Sequence, residues 1–112
     1  FRDRAGNPTN LGWHLFTWMV PFPGTSWHDH VLDQLHRVVH ALPELDGIFC
    51  DNAVHHGVSF GQDDECSMAQ GKPCCEFAFA QHAMFRSARS ELDRRGMALW
   101  TNGACDLSSV RN

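Results

Sequence analysis

The chain has 112 residues, enough for one small domain. Its hydrophobic share of 43% and aromatic share of 11% are ordinary for a packed core, which excludes a disordered chain. The chain carries 9 basic and 13 acidic residues, a formal charge of −4, and its basic residues are scattered, so we predict no nucleic-acid partner. No run approaches the roughly 20 apolar residues that a membrane span needs, so we predict no membrane partner either.

The first predicted strand is the almost wholly apolar run 13–20, which Pro21 ends. Ser26 is predicted to cap the start of a helix, because Asp29 stands three residues later in capping-box spacing. Pro43 is predicted to stop this helix. Apolar residues at three- and four-residue steps predict its buried stripe, which consists of Val31, Leu32, Leu35, Val38, Val39 and Leu42.

A second buried strand is predicted over residues 48–50, and Asp51 and Asn52 follow directly at its carboxyl end. Residues 53–75 form a long connection rich in Gly, Asp, Cys and His, which we predict to be a loop on the active face. A second helix is predicted over roughly 76–95, with Phe77, Ala80, Met84, Ala88 and Leu92 along one face. The run 97–100 is the third predicted strand.

Strand, helix, strand, helix, strand is the pattern of parallel βαβ units, so the predicted fold class is α/β. Right-handed crossovers place both helices on one side of such a sheet, which leaves the other face bare. A closed barrel buries that face, but an eight-stranded one typically needs about 250 residues. We therefore expect residues 1–112 to form a single segment of a larger (β/α)8 barrel. The alternative is that a partner chain or a second copy covers the face.

Asp51 is the leading candidate for chemistry. Catalytic groups of parallel α/β folds project from the carboxyl ends of strands, which is where the sequence places this carboxylate. It could act as a nucleophile or a base there, while Asn52 could orient a hydroxyl-bearing ligand. The alternative interpretation is a turn-capping Asp-Asn pair, since both residues favour turns.

Residues 23–26 (PGTS), 43–52 (PELDGIFCDN) and 96–103 (GMALWTNG) together resemble the middle of glycoside-hydrolase-type (β/α)8 barrels, in particular the α-galactosidase-like group. In that group an Asp-Asn pair ends a middle strand, and its Asp is the nucleophile. The resemblance implies that Asp51 is the catalytic carboxylate of a hydrolase that cleaves glycosidic bonds, with a carbohydrate substrate and no cofactor. Phe49 occupies the position two before this Asp, where the group often carries a Lys.

A glycosidase needs a second carboxyl group, about 5–5.5 Å from the first in retaining enzymes and about 6.5–9.5 Å in inverting ones. In the family this acid usually comes from a later strand. Within the present chain the candidates are Asp106 and the loop residues Asp63, Asp64 and Glu65.

Sugar binding is assigned to polar and aromatic side chains near the strand ends. Asn52, Asn102 and Asp106 would bind sugar hydroxyl groups, and Trp18 or Trp100 would offer a stacking surface. The alternative role of both tryptophans is core packing.

The connection after Asp51 also holds a group of possible metal ligands or thiols: His55, His56, Cys66, Cys74 and Cys75. Three interpretations remain open, namely free groups, a disulfide from Cys66 to Cys74 or Cys75, and a metal site. His36 and His40 share a face of the first helix, which we predict to be solvated and free of metal.

Two rival functions accompany the glycosidase hypothesis. One is a non-catalytic α/β interaction module whose bare sheet face binds a partner. The other is a metal-dependent hydrolase that uses the His- and Cys-rich connection.

Overall fold

The computed structural model describes residues 1–9, 19–51 and 57–102. Its elements in chain order are α1 (Ser26–Ala41), β1 (Gly47–Cys50), β2 (Val58–Ser59), β3 (Ser67–Ala69), β4 (Lys72–Glu76), α2 (Phe77–Asp93) and β5 (Ala98–Thr101). The strands form two separate sheets: β1 pairs with β5, and β2, β4 and β3 pair in that order. The architecture is therefore mixed α/β.

Strands β1 and β5 are parallel, as the sequence predicts. Gly47 pairs with Ala98, and the register continues one residue at a time to Cys50 and Thr101. The predicted first strand over 13–20 lies almost entirely outside the described residues. Met19 and Val20, its last two positions, are in irregular structure.

Helix α1 is capped one residue earlier than predicted. Thr25, not Ser26, is the N-cap, and its hydroxyl accepts the backbone N–H of His28 at 3.2 Å. Asp29 lies in the first turn, where its charge suits the positive end of the helix. The buried stripe is also narrower than predicted, because Val38 and Leu42 are 41% and 54% exposed.

Both helices pack against the same face of the β1–β5 sheet, which confirms the predicted arrangement. One core cluster joins Val39 of α1 and Leu92 of α2 to Met97, with Ile48 and Leu99 of the two strands packed against it. The predicted apolar face of α2 is also confirmed, since all five of its residues are buried. Neither helix among the described residues is long and apolar enough to cross a bilayer.

Two polar contacts tie the helices together. The His28 ring contacts the Ser87 hydroxyl through Nε2 at 3.3 Å. Near the other end of α1, the Nε2 atom of His36 lies 3.1 Å from the Glu91 carboxylate. Glu91 is buried and also binds the side chains of Arg94 and Arg95. These cations offset the unfavourable position of a carboxylate near the negative end of α2.

The Glu91 cluster predicts acid sensitivity. The bond from Arg94, followed by that from Arg95, lowers the Glu91 pKa from 4.5 to about 2. A lowered folded-state pKa stabilises the protein above the unfolded-state value, and this contribution is lost as the pH falls toward 2. We expect Glu91→Gln to lower the melting temperature by a few degrees at pH 7 and hardly at all near pH 2. Thermal unfolding followed by circular dichroism measures this difference.

The matched control for Glu91→Gln is Glu44→Gln, the same change at an exposed residue after α1. It should leave the melting temperature unchanged at both pH values. Equal melting temperatures for Glu91→Gln and wild type at pH 7 would contradict the assigned role of the cluster.

The described part of the connection between β1 and α2 contains strands that the sequence did not predict. Within residues 57–76, strands β2, β4 and β3 form an antiparallel sheet. Gln70 and Gly71 make the two-residue turn between β3 and β4, and both have positive φ, as a type I′ hairpin turn requires. A second core cluster anchors this sheet, because Cys75 of β4 packs with Phe1, Val20 and the first turn of α2.

Candidate active site at the carboxyl edge of the parallel strands

Asp51 and Asn102 meet at the carboxyl edge of the parallel sheet. They are the residues immediately after β1 and β5, and the register of the strands places them side by side. The backbone N–H of Asn102 donates to the Cys50 carbonyl at 3.0 Å, which extends the pairing by one residue. The side-chain amide Nδ2 of Asn102 then donates to Asp51 Oδ1 at 2.7 Å. Both residues are exposed, so a ligand can reach them.

Two aromatic side chains lie on the same face of the sheet as this pair. Phe49 and Trp100 are register partners. Phe49 lies two residues before Asp51, and Trp100 lies two residues before Asn102. Because side chains alternate between the two faces of a strand, all four side chains lie on the same face of the sheet. Phe49 is 62% exposed and Trp100 is 50% exposed. Ile48 and Leu99 lie on the opposite face of the sheet and pack against the core.

Gly47 allows the Trp100 ring to lie close against the sheet. A Cβ atom at Gly47 would stand 2.6 Å from Cζ3 of Trp100 and would also overlap the Ala98 carbonyl. The strand therefore needs glycine here for two reasons, the close approach of its neighbour's backbone and the position of the indole ring.

Two of the predicted site residues, Asp51 and Asn102, come together at this edge. A third, Trp100, lies on the same face, with its ring against Gly47 at the amino end of β1. The other three, Trp18, Asn52 and Asp106, lie outside the described residues. Phe49 belongs to the same surface but was not predicted as a site residue. The period-two alternation of a strand was the signal that could have identified it, since it shares a face with Asp51.

Asp64, one candidate for the second carboxyl group, has a structural role. Its carboxylate accepts the backbone N–H groups of Cys66, Ser67 and Glu76 and the Ser67 hydroxyl. These bonds outweigh partial burial and hold the Asp64 pKa well below its usual range. A general acid must be protonated before it reacts, so this carboxyl group is poorly suited to that task.

The same bonds predict that Asp64 stabilises the antiparallel sheet. Asp64→Asn replaces one acceptor oxygen by an N–H donor that faces other donors, and we expect a loss of about 1–3 kcal/mol in the free energy of unfolding. Urea denaturation at pH 7 measures this loss. The matched control is Asp33→Asn, which affects an exposed ion pair with Arg37 and an exposed hydrogen bond from Gln34 and should cost well under 1 kcal/mol. Equal urea midpoints for both variants would refute the role of Asp64.

The cysteines of the connection are free thiols in the structure. Cys66 is exposed, whereas Cys74 and Cys75 are buried. Burial and the nearby Asp64 carboxylate raise the Cys75 pKa to about 12, which keeps this thiol protonated and unreactive at neutral pH. The structure therefore favours free groups over the predicted alternative of a disulfide at Cys66.

No three His, Cys, Asp or Glu side chains form a metal-binding group within residues 1–9, 19–51 and 57–102. His36 and His40 are exposed, as predicted, and His36 also contacts Glu91. His55 and His56, two of the five predicted ligands, lie outside the described residues.

A concavity lies between the helices and the sheet, on the face away from Phe49 and Trp100. Its volume is about 270 Å³, and nearly all of its lining is apolar. It is lined by residues of α1, α2, β1 and β5, namely Val31, Gln34, Leu35, Val38, Ile48, Cys50, Met84, Phe85, Ala88 and Leu99. This space offers no charged group for acid–base chemistry, so the carboxyl edge of the sheet is the better candidate site.

Comparisons of the chain with protein-family models, with curated proteins and with solved structures gave no match.

Proposed function

We propose that the chain is part of a carbohydrate-active hydrolase that cleaves glycosidic bonds, with Asp51 as its catalytic carboxylate. The observation that supports this most is the bond from Asn102 to Asp51 at the shared carboxyl edge of two parallel strands. Active sites of parallel α/β enzymes lie at this edge, and a positioned carboxylate is the group that glycosidic bond cleavage requires. The exposed Trp100 ring on the same face adds a surface on which a sugar can stack.

In the proposed reaction Asp51 acts on the anomeric carbon. As nucleophile, its carboxylate forms a bond to that carbon while the bond to the leaving oxygen breaks, and a second carboxylic acid protonates that oxygen. Water then hydrolyses the glycosyl ester and returns Asp51 to its ionised form. Asn102 holds one carboxylate oxygen, which fixes the orientation of the group before the sugar arrives.

The larger architecture that we propose is a (β/α)8 barrel to which β1, α2 and β5 contribute consecutive units. Both helices lie on one face of the parallel pair, and the other face carries the exposed Phe49 and Trp100. In a barrel that second face would point inward, and further strands would extend the sheet on each side.

The proposed activity is tested with a panel of chromogenic aryl glycosides, neutral and acidic, incubated with the full chain. We expect release of the chromophore from at least one neutral glycoside. If no member of the panel releases its chromophore, the 112 residues do not hydrolyse glycosides by themselves. The same panel is then applied to a longer polypeptide that contains them.

A second candidate function is a non-catalytic interaction module. The exposed apolar face formed by Phe49 and Trp100 favours it, since such surfaces also bind protein partners. This alternative predicts a dimer or larger assembly of the chain in light scattering, whose dissociation follows Trp100→Ala. A monomer with glycosidase activity would rule it out.

A further inference from the structure

We propose that the polar contact between the two helices at His28 is a second catalytic site, at which Ser87 is acylated by esters of aliphatic acids. The acyl chain of the ester would lie in the apolar cavity between the helices and the sheet. The site is built from α1 and α2, so it does not depend on the proposed hydrolysis of glycosides at the strand ends.

The imidazole ring of His28 joins a hydroxyl group to a carboxylate, which is the arrangement of nucleophilic serine catalysis. Its Nδ1 atom lies 3.1 Å from Oδ1 of Asp29, and its Nε2 atom lies 3.3 Å from Oγ of Ser87. Asp29 follows His28 on α1, whereas Ser87 lies on α2, so helix packing assembles the three side chains. The ring is buried and Ser87 is only partly buried. The packing therefore holds the base in place while a substrate can reach the nucleophile.

The carboxylate of Asp29 determines which ring nitrogen carries the proton. An ionised carboxylate only accepts hydrogen bonds, so Nδ1 of His28 carries the N–H that faces it. In the neutral ring Nε2 is then an acceptor, which is the state that a general base needs. The Ser87 hydroxyl has two acceptors within reach, this nitrogen and the Ala83 carbonyl at 3.2 Å. Rotation of the hydroxyl hydrogen exchanges them, so His28 can take the proton of Ser87 as its oxygen attacks.

The apolar cavity of about 270 Å³ lies one helical turn from this contact. Val31 follows His28 by three residues, Met84 precedes Ser87 by three residues, and both line the cavity. Nearly all of the lining is apolar, which favours an aliphatic chain over a charged group. A cavity of about 150 Å³ takes a molecule the size of benzene, so this one has room for an acyl chain from butanoate to octanoate.

The proposed reaction is ester hydrolysis in two steps. In the first, Oγ of Ser87 attacks the carbonyl carbon, Nε2 of His28 takes its proton, and the ester C–O bond breaks as that proton passes to the leaving alcohol. In the second, water attacks the acyl-serine and gives a proton to His28, which passes it to the serine oxygen as the acyl bond breaks. The products are the free acid and the alcohol. Asp29 is a positioning residue, which orients the ring and stabilises its charged form.

The test incubates the full chain with the p-nitrophenyl esters of acetate, butanoate and octanoate. We expect nitrophenol release with a higher kcat/KM for the two longer esters than for acetate. Ser87→Ala and His28→Gln should each lower kcat/KM about 100-fold or more. Asp29→Asn should lower kcat about tenfold or more and leave KM unchanged. An alkyl fluorophosphonate should label the wild-type protein, and peptide mass spectrometry should locate the adduct at Ser87.

The matched control for Ser87→Ala is Ser90→Ala. Ser90 is an exposed residue of the same helix, and its hydroxyl likewise donates to the carbonyl four residues earlier, that of Arg86, at 3.0 Å. The control for His28→Gln is His40→Gln, at an exposed position of α1. Both controls should hydrolyse the esters as wild type does. Circular dichroism checks that each variant is folded.

Val31→Phe tests the acyl cavity separately from the nucleophile. The larger side chain fills part of the cavity, so octanoate hydrolysis should fall about tenfold or more while acetate hydrolysis is kept. Unchanged octanoate hydrolysis in this variant would refute the role of the cavity and leave that of Ser87 standing. Equal hydrolysis by wild type, Ser87→Ala and Ser90→Ala, an adduct at another residue, or neither hydrolysis nor labelling would refute the site.

Discussion

Asp51→Asn is expected to lower kcat for glycoside hydrolysis by about 10³-fold or more. Asparagine has nearly the same shape, and its side-chain oxygen can still accept the amide N–H of Asn102, so the carboxyl edge should keep its geometry. What disappears is the negative charge that attacks or stabilises the anomeric carbon. The measurement is steady-state hydrolysis of the aryl glycoside that the panel identifies, with KM expected to change much less than kcat.

The matched control for Asp51→Asn is Asp46→Asn, which makes the same chemical change at the amino end of β1. Only the backbone carbonyl of Asp46 takes part in the hydrogen bond to Ala98, so the pairing of the strands is preserved. Its kcat should equal that of wild type. Comparable turnover in the Asp51 and Asp46 variants would remove Asp51 from the chemistry.

Gly47→Ala is expected to destabilise the protein by about 3 kcal/mol or more. The added Cβ would overlap the carbonyl oxygen of Ala98 and stand 2.8 Å from the Ala98 carbonyl carbon. Backbone atoms cannot turn aside as a flexible side chain can, so β1 and β5 must separate to admit the methyl group. Because this pairing also places Asp51 beside Asn102, activity should fall together with stability. Urea denaturation and the glycoside assay measure the two effects.

Gly61→Ala is the control for Gly47→Ala. A Cβ at Gly61 would meet the side chain of Arg2, at 2.9 Å from its Cδ. A long arginine side chain can move away at little cost, so the change in unfolding free energy should stay below about 1 kcal/mol. A Gly47 variant as stable as the Gly61 variant would show that β1 and β5 do not pair as closely as described.

The helices and the parallel strands could be predicted because their sequences repeat with clear periods. The buried residues of α2 recur at three- and four-residue steps, and the short apolar runs before Asp51 and Asn102 are bounded by turn residues. The helical period of the apolar residues does not show which of two adjacent residues is the N-cap, and both Thr25 and Ser26 have a suitable hydroxyl group. Thr25 is the N-cap because its backbone is extended, while Ser26 already lies in the helix.

The antiparallel sheet was missed because its strands carry weak signals. β2 has two residues and β3 three, too few to show alternation, and Pro73 in β4 argues against a strand. The Gln70–Gly71 turn lacks the Asn-Gly or Asp-Gly pair that usually marks a two-residue hairpin. The position of Asp64 depends on contacts twelve residues away along the chain, at Glu76, and no local pattern predicts such a contact.

The proximity of Asp51 and Asn102 could be inferred from topology, since the carboxyl ends of parallel strands lie at the same edge of a sheet. Their direct hydrogen bond requires the register in which Phe49 pairs with Trp100, and sequence patterns do not determine the register between strands whose paired residues are 51 positions apart. For the same reason the shared aromatic surface emerged only from the structure.

A ligand titration followed by ¹H–¹⁵N NMR tests the sugar site most directly. The neutral glycoside that the full chain hydrolyses, or binds best, is added to the ¹⁵N-labelled Asp51→Asn variant, which cannot turn it over. We predict the largest shift changes at residues 49–51 and 100–102, including the side-chain amide of Asn102. Changes confined to the helices or to the antiparallel sheet, with the carboxyl edge of β1 and β5 unaffected, would contradict the account.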